Sequence, residues 1–157
     1  MEKPIIRPLR GGDLPAVLSI WLEGNLDAHP FVPASYWMGH AQDVCAAIAQ
    51  AEVYVAEAPD DRRILGFIGL AGDFIAGLFV LRGARSQGVG RHLLHTVQQR
   101  RDALTLHVYR RNANAVRFYE RAAFAVQACQ TDPDTGEAEL VMLWRKSAAS
   151  SESSQGR

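Results

Sequence analysis

The hydrophobic pattern of this chain changes its period at a glycine-containing loop, Arg85-Ser86-Gln87-Gly88-Val89-Gly90-Arg91. Before the loop, residues Asp73 to Leu81 predict a strand interrupted by Gly77, where a bulge or a close backbone approach is expected. After it, apolar residues recur at helical spacing from Gly88. Backbone N–H groups converge at such a turn and the helix adds partial positive charge, so the loop suits a pyrophosphate group.

The same residues exclude two other nucleotide-binding loops. A Walker loop requires Gly-Lys-Ser/Thr, which is absent here. A Rossmann fingerprint would follow the first strand and would need the spacing GxGxxG, and this loop meets neither condition.

The spacing of apolar and turn residues predicts elements in the order β-α-α-β-β-β-α-β-α-β-β, an α/β domain with a mixed sheet. The first strand is predicted over Pro4 to Leu9, and Asp13 is predicted to cap a first helix that ends near Gly24. The prolines of Asn25 to Pro33 predict a loop. The other predicted elements are a helix around Trp37 to Ile48, strands Val53–Ala58, Ile64–Leu70 and Leu104–Tyr109, a helix Asn112–Ala122, and strands Phe124–Cys129 and Leu140–Trp144.

Length and composition narrow the class of protein. The 157 residues predict one domain over residues 1–146 and a disordered polar tail over residues 147–157. Lys plus Arg and Asp plus Glu number 17 each, so the formal net charge is zero, which disfavours nucleic-acid binding. No apolar run approaches the roughly 20 residues of a membrane span, and residues 1–10 lack the apolar region of a signal peptide. These features predict a cytoplasmic enzyme with no membrane partner.

The chain has only two cysteines, Cys45 and Cys129, and they lie far apart. Their spacing fits no metal site, so no metal is expected. Both are predicted to be reduced and mostly buried thiols.

A second motif, Asn112-Ala113-Asn114-Ala115-Val116-Arg117-Phe118-Tyr119, has two interpretations. In the structural one, Asn112 caps a helix whose core face carries Phe118 and Tyr119. In the functional one, Tyr119 packs its ring and presents its hydroxyl donor to a cleft. The motif alone leaves both open.

Taken together, Arg85-x-x-Gly88-x-Gly90, Asn112-x-x-Ala115-x-x-Phe118-Tyr119 and Ala123-Phe124 resemble the signature of the GNAT (Gcn5-related) N-acetyltransferase family. The resemblance covers about residues 4–146, since the order of strands and helices also matches. It implies the GNAT fold, with a mixed, mostly antiparallel central sheet and helices on both faces. Within the family the chain is most similar to small bacterial acetyltransferases of the YiaC and YjaB type, through Ile20-Trp21, His29-Pro30-Phe31, Tyr36-Trp37, Leu65-Gly66-Phe67 and Val97-Gln98-Gln99-Arg100.

The resemblance implies acetyl-coenzyme A (acetyl-CoA) as cosubstrate and no metal. The strand ending at Leu78–Val80 would splay from Leu104–Tyr109, and its unpaired backbone groups would bind the pantetheine arm like an added strand. The implied cofactor-binding residues are Leu78, Phe79, Val80, Arg85, Ser86, Gln87, Gly88, Val89, Gly90, Arg91 and Asn112. Tyr119 would lie near the thioester sulfur, where its hydroxyl would stabilise the departing thiolate.

The general base is the point at which the chain departs from the family pattern. Many members carry a glutamate five residues before the motif asparagine, and this chain has His107 there. A histidine, with a reference pKa near 6.5, is suited to take a proton, so His107 joins Tyr119 as a catalytic candidate. A histidine merely satisfied within its strand is the alternative.

The acceptor side is expected at the loop between the first two helices. His29 in this loop could bind the acceptor or relay a proton, and Phe31 and Phe74 are candidate acceptor-binding residues, with Tyr36 as a further wall. A purely structural role is the alternative for each.

These features predict transfer of an acetyl group from acetyl-CoA to a primary amine. The resemblance favours a protein lysine or N-terminal amine as acceptor. A small-molecule amine is the alternative acceptor, and a non-catalytic acyl-CoA-binding module is the alternative class. A monomer or a homodimer is expected.

Overall fold

The computed structural model describes residues 3–146, and the predicted disorder of the tail over 147–157 lies outside these residues. The predicted order of elements is confirmed. Their bounds are β1 Ile5–Pro8, α1 Leu14–Ala28, α2 Ala34–Gln50, β2 Glu52–Glu57, β3 Ile64–Ala71, β4 Phe74–Val80, α3 Val89–Gln98, β5 Ala103–Tyr109, α4 Ala113–Arg121, β6 Ala125–Thr131 and β7 Ala138–Arg145. In the described part of the chain, none of the helices has the length and apolarity needed to cross a bilayer.

All seven strands form one sheet in the order β1-β2-β3-β4-β5-β7-β6. Every neighbouring pair is antiparallel except β4 and β5, which run parallel. The expected mixed, mostly antiparallel sheet is therefore confirmed.

Helices cover both faces of the sheet, because successive side chains along a strand point to opposite faces. Val53 and Val55 of β2 belong to a core cluster with residues of α1 and α2. Tyr54 and Ala56, which alternate with them, belong to a second cluster with residues of α3 and α4. The two clusters are the two halves of the hydrophobic core.

The first helix is longer than its sequence suggests. It was expected to end near Gly24, but it continues to Ala28, and the backbone N–H of His29 still donates to the carbonyl of Asn25 at 2.9 Å. Gly24 is a packing position and not a stop signal, since a Cβ there would lie 2.8 Å from the ring of Phe79. The loop predicted over Asn25 to Pro33 therefore begins only at His29.

Two smaller predictions were also wrong. Asp13 precedes α1, but its carboxylate makes no cap hydrogen bond to the helix, because it accepts from the guanidinium of Arg7 and the backbone N–H of Arg10. Cys129 is exposed and not buried, because it lies on β6, the edge strand, whose residues are all exposed. Cys45 is half-buried.

The parallel pair β4 and β5 parts soon after it begins. Only Phe74 with Thr105 and Ile75 with Leu106 are paired, although both strands continue beyond these residues. The parting coincides with a bulge, because Gly69 faces Gly77 and Leu70 faces Ile75, which leaves Ala76 as an extra residue on β4. A bulge bends its strand. The interruption predicted near Gly77 thus lies at the neighbouring residue and turns β4 away from β5.

Close packing of β3 on β4 gives a stability prediction. A Cβ at Gly66 would lie 2.7 Å from the carbonyl oxygen of Phe79 and 3.2 Å from the Cα of Val80, both backbone atoms that cannot move aside cheaply. We expect Gly66→Ala to lower the free energy of unfolding by about 1–3 kcal/mol. Gly39→Ala is the matched control, because this exposed glycine of α2 has no heavy atom near its Cβ position. It should raise the free energy of unfolding by about 0.5–1 kcal/mol. Urea denaturation measures both changes, and equal stabilities for the two variants would contradict the packing argument.

Candidate active site

The parted strands open a cleft of about 730 Å³, a volume typical of small-molecule and cofactor sites. One wall is the end of β4, and the opposite wall is the segment between β5 and α4. The end of α1 and the loop after it close a third side. The residues that line the cleft are Gly24, Asp27, Ala28, His29, Pro30, Phe31, Leu78, Phe79, Val80, Arg85, Arg111, Asn112, Ala113 and Asn114.

Backbone groups of β4 point into the gap between the strands. The N–H of Leu81 donates to the carbonyl of Leu65 at 2.7 Å, and hydrogen-bonded pairs alternate along an antiparallel ladder. Phe79 and Gly77 are therefore the residues of β4 that bond to β3, and the backbone groups of Leu78 and Val80 point toward β5. Within residues 3–146, no strand pairs with Leu78 or Val80 on that side. The carbonyl of Val80 accepts from Arg85 Nε at 3.2 Å.

The loop before α3 has the backbone form of an anion cradle. Ser86 and Gly88 both adopt left-handed conformations, with φ of 68° and 83°. Successive turns of this kind direct N–H groups into one concavity. Gly88 precedes the first residue of α3, no side chain caps this helix, and no acidic residue lies in its first turn. The positive end of the helix is thus free to meet an anion.

One residue in this region was missed by sequence reasoning. The carboxylate of Asp27 accepts from Arg82 at 2.6 and 3.0 Å and from Arg85 at 3.3 Å. These arginines are expected to hold the pKa of Asp27 below its usual range, the hydrogen bond from Arg82 being the larger cause. Because Asp27 lies 55 positions before Arg82, no local pattern relates the two residues.

His29 lies buried at the end of α1, and only 9% of its surface is exposed. Its Nδ1 lies 3.1 Å from Asn25 Oδ1, and its Nε2 lies 3.3 Å from Asn112 Nδ2. Burial lowers the pKa of His29 to about 4, so the imidazole is neutral near pH 7. His29 was expected on the acceptor side and Asn112 on the cofactor side. The structure therefore places the two side chains in contact.

A sequence signal for this connection existed. Trp21, Asn25 and His29 are spaced by four residues, which places them on one face of a helix. The expected end of α1 at Gly24 hid that signal.

Tyr119 is 8% exposed and belongs to the core cluster beneath α3 and α4. Its ring packs edge-on against Phe118 and Phe124, with centroid distances of 5.2 and 5.5 Å. Burial raises the pKa of the Tyr119 phenol, so the hydroxyl stays protonated and can act as a hydrogen-bond donor. Phe118 reaches the first turn of α3, since a Cβ at Gly90 would lie 3.5 Å from its ring. Tyr119 is not one of the residues that line the cleft.

His107 lies where the two strands part, one residue after Leu106, the last residue of β5 that pairs with β4. Its side chain is 40% exposed, and its Nδ1 lies 3.6 Å from Glu139 Oε1. The imidazole packs edge-on against Phe74, the first residue of β4, with the centroids 5.0 Å apart. His107 and Phe74, both named from the sequence, are thus brought together at the closed end of the gap.

The hydroxyl groups of two tyrosines connect the turn between β6 and β7 to α2 and β5 by hydrogen bonds. Tyr109 donates to Asp132 at 2.6 Å, and Tyr36 donates to Asp134 at 3.3 Å. Phe31, which lines the cleft, packs edge-on against Tyr109 with a centroid distance of 5.7 Å. The turn between β6 and β7 is therefore connected through Tyr109 to the loop after α1, and together they form one rim beside the cleft.

The residues named from the sequence lie in four places. Those that line the cleft are Leu78, Phe79, Val80, Arg85, Asn112, His29 and Phe31. Ser86, Gln87, Gly88, Val89, Gly90 and Arg91 form the loop and first turn next to Arg85. Tyr119 is in the core, and His107 with Phe74 is at the parting of the strands.

Comparisons with known proteins show the family and the fold of this chain. A family model described as an acetyltransferase (GNAT) domain matches residues 49–126. The peptidyl-lysine N-acetyltransferase YiaC of Escherichia coli K12 is 36% identical over 142 residues, which cover 89% of this chain and 96% of YiaC. YjaB of the same strain, also a peptidyl-lysine N-acetyltransferase by name, is 29% identical over 132 residues, with 84% and 89% covered. The solution structure of apo-form YjaB from Escherichia coli has a TM-score of 0.80 at 25% identity, covering 91% of this chain and 98% of that one.

The buried imidazole predicts how stability depends on pH. The pKa of His29 is about 4 in the folded protein against 6.5 for an ordinary histidine. Between these values the unfolded chain binds the extra proton, so the free energy of unfolding falls as pH drops through this window. The contribution is at most about 1.4 kcal/mol per pH unit. His29→Gln should remove it, and urea denaturation of both proteins between pH 7 and pH 4 measures the difference. Parallel pH profiles for the two proteins would contradict the buried neutral imidazole.

Proposed function

This chain belongs to the GNAT family of acetyltransferases, and on that basis we propose that it moves an acetyl group from acetyl-CoA to a protein amine. The proposed acceptor is a lysine side chain or an N-terminal amine. Its main structural support is the parting of β4 from β5, together with the loop that runs from Arg85, a residue lining the cleft, to the N-terminus of α3.

The residues around the cleft fit acetyl-CoA. The backbone groups of Leu78 and Val80, which pair with no strand on the β5 side, suit the amides of a pantetheine arm that would lie along β4 like an added strand. The Val80 carbonyl accepts from the exposed side chain of Arg85, which would have to give way to such an arm. The left-handed residues Ser86 and Gly88 and the first turn of α3 suit a pyrophosphate. Asn112, on the opposite wall, would contact the pantetheine. When bound, acetyl-CoA would supply an activated thioester.

Tyr119 is proposed to stabilise the thiolate that leaves when the thioester is cleaved. Its raised pKa makes complete proton transfer unfavourable, since a tyrosine has a reference pKa of about 10 and a thiol about 8.5. The same burial keeps the phenol protonated, and a hydrogen bond in a low-dielectric site is stronger than in water. The hydroxyl therefore acts as a hydrogen-bond donor to the developing charge.

His107 is proposed to take the proton of the acceptor amine, directly or through water. A lysine amine must be neutral to attack, and removing its proton at pH 7.4 costs about 4 kcal/mol. His107 is the exposed imidazole nearest to the point where β4 and β5 part, and Glu139 lies beside its Nδ1. A carboxylate this close would stabilise the imidazolium that forms when the ring of His107 takes the proton.

Charge around the rim supports a cationic acceptor. Asp132, Asp134 and Glu139 lie on the side formed by Tyr36, Tyr109 and His107. Arg111, a basic residue that lines the cleft, is paired with Glu137 at 3.2 Å. An acidic rim attracts amines that carry a positive charge before they bind. YiaC and YjaB are both named peptidyl-lysine N-acetyltransferases, which favours lysine for this chain as well.

The acceptor proposal predicts the site of acetylation. With acetyl-CoA and a peptide that has one lysine and a blocked N-terminus, we expect thiol release and one acetyl group on the lysine amine. The same peptide with arginine in place of lysine is the matched control and should release no thiol. Tandem mass spectrometry locates the acetyl group. Thiol release with small-molecule amines but with neither lysine peptides nor free N-termini would contradict the proposed acceptor.

The mechanism predicts a selective defect in Tyr119→Phe. This change keeps the packed ring and removes the donor, so stability and the Kd for acetyl-CoA should change little. Both kcat and kcat/KM should fall by about 10²- to 10⁴-fold, because the lost interaction is made in the transition state. Steady-state kinetics and calorimetric titration measure the two effects.

Tyr54→Phe is the matched control for this defect. Tyr54 is also a buried tyrosine of the same core cluster, and its hydroxyl donates to Glu52 at 2.6 Å, away from the cleft. The Tyr54→Phe variant should keep its turnover. A fully active Tyr119→Phe enzyme would show that another group stabilises the thiolate.

The variant His107→Gln should instead retain activity at high pH and lose it at neutral pH.

A further inference from the structure

A chain of hydrogen bonds runs from α1 through His29 to the start of α4 and joins two walls of the cleft. We infer that His29 is a positioning residue, which fixes the amide of Asn112 in one orientation so that one of its N–H groups is presented to the cleft. The inference rests on the proposed function, in which Asn112 contacts the pantetheine arm.

The direction of the bonds is determined at the α1 end by a backbone group. Asn25 Nδ2 donates to the carbonyl of Trp21 at 2.9 Å, so Asn25 Oδ1 is an acceptor. His29 Nδ1 lies 3.1 Å from this oxygen and must therefore carry the proton. A neutral imidazole protonated on Nδ1 has its lone pair on Nε2.

The direction is determined independently at the α4 end. The backbone N–H of Ala115 donates to Asn112 Oδ1 at 3.3 Å, which makes this oxygen an acceptor. Asn112 Nδ2 is then the group that lies 3.3 Å from His29 Nε2, and it donates to the lone pair. Both ends thus require the same tautomer of His29.

Packing prevents the imidazole from turning out of this arrangement. Aromatic rings surround it at centroid distances of 5.7 Å for Phe31, 5.4 Å for Trp37 and 4.9 Å for Tyr109. Asn25, the partner on the α1 side, is only 3% exposed. The ring that orients Asn112 is therefore held both by hydrogen bonds and by contacts.

The arrangement leaves Asn112 with a defined free donor. A carboxamide has two N–H groups and one oxygen, and here the oxygen and one N–H are engaged. Asn112 lines the cleft, so its second N–H is available to a carbonyl of a bound pantetheine arm. The lone pair of His29 is also engaged, so His29 acts through Asn112 and not as a proton acceptor for the amine.

A pair of substitutions at His29 separates the two halves of the chain. His29→Asn places its amide near the position of Nδ1 and keeps a donor for Asn25, but it cannot reach Asn112. His29→Gln places its amide near Nε2 and keeps an acceptor for Asn112, but it loses the bond to Asn25. Calorimetric titration with CoA measures the Kd of each variant, of Asn112→Ala, and of the double variant His29→Asn/Asn112→Ala.

We expect the Kd for CoA to rise about fivefold in His29→Asn and in Asn112→Ala, the effect of one hydrogen bond. His29→Gln should recover most of the affinity. The double variant should be no weaker than Asn112→Ala alone, because the two residues act as one unit.

Equal losses in the Asn and Gln variants would overturn the positioning role, because they would indicate general damage to the fold. The positioning role would also be overturned if the rise in the Kd for CoA in the double variant were the product of the two single rises. An unchanged Kd for CoA in Asn112→Ala would overturn it as well. If the unsubstituted protein itself does not bind CoA, the proposed function fails and this inference fails with it. If it binds CoA and only the variants disagree, the proposed function stands.

Discussion

The separation of β4 from β5 is the constraint on which the rest of this structure depends. The extra residue Ala76 bends β4, so two strands that pair at Ile75 and Leu106 diverge at once. Divergence leaves polar backbone groups of Leu78 and Val80 without a strand partner, which a sheet interior normally avoids because such groups need hydrogen bonds. Extended ligands that carry amides can supply those bonds. A local irregularity in a strand thereby creates an edge that suits such a ligand.

The two faces of the sheet bring different chemistry to this edge. On one face, α3 and α4 supply the left-handed turn at Gly88, whose backbone form suits an anion, and the buried phenol of Tyr119. On the other face, α1 and the loop after it supply His29 and Asp27, which reach across to Asn112 and to Arg82 and Arg85. The cleft is therefore shaped by contacts between elements distant in the chain. The acidic residues Asp132 and Asp134 lie beside Tyr109 and Tyr36. The arginines Arg82 and Arg85 lie instead beside Asp27 near the end of α1.

Much of the fold followed from periodicity, because strands and helices bury one face each and so repeat their apolar residues. The order of elements and the interruption near Gly77 were predictable for this reason. The end of α1 was not, because Gly24 resembles a stop signal, and only the ring of Phe79 packed against it explains a glycine there. The loop before α3 and the start of α4 at Asn112 were recognisable from local motifs. The pairing of Asp27 with Arg82 and the partners of His29 depend on long-range contacts, which a single sequence does not reveal.

A bound CoA arm is expected to occupy the edge of β4 that faces the gap. Backbone amide exchange measured by NMR tests it residue by residue. The N–H groups of Leu78 and Val80 should exchange quickly in the free protein and slowly with CoA, whereas that of Phe79, which pairs with Phe67, should be slow in both. Unchanged exchange at Leu78 and Val80 in CoA-saturated protein, with protection appearing elsewhere, such as along β6, would contradict the account.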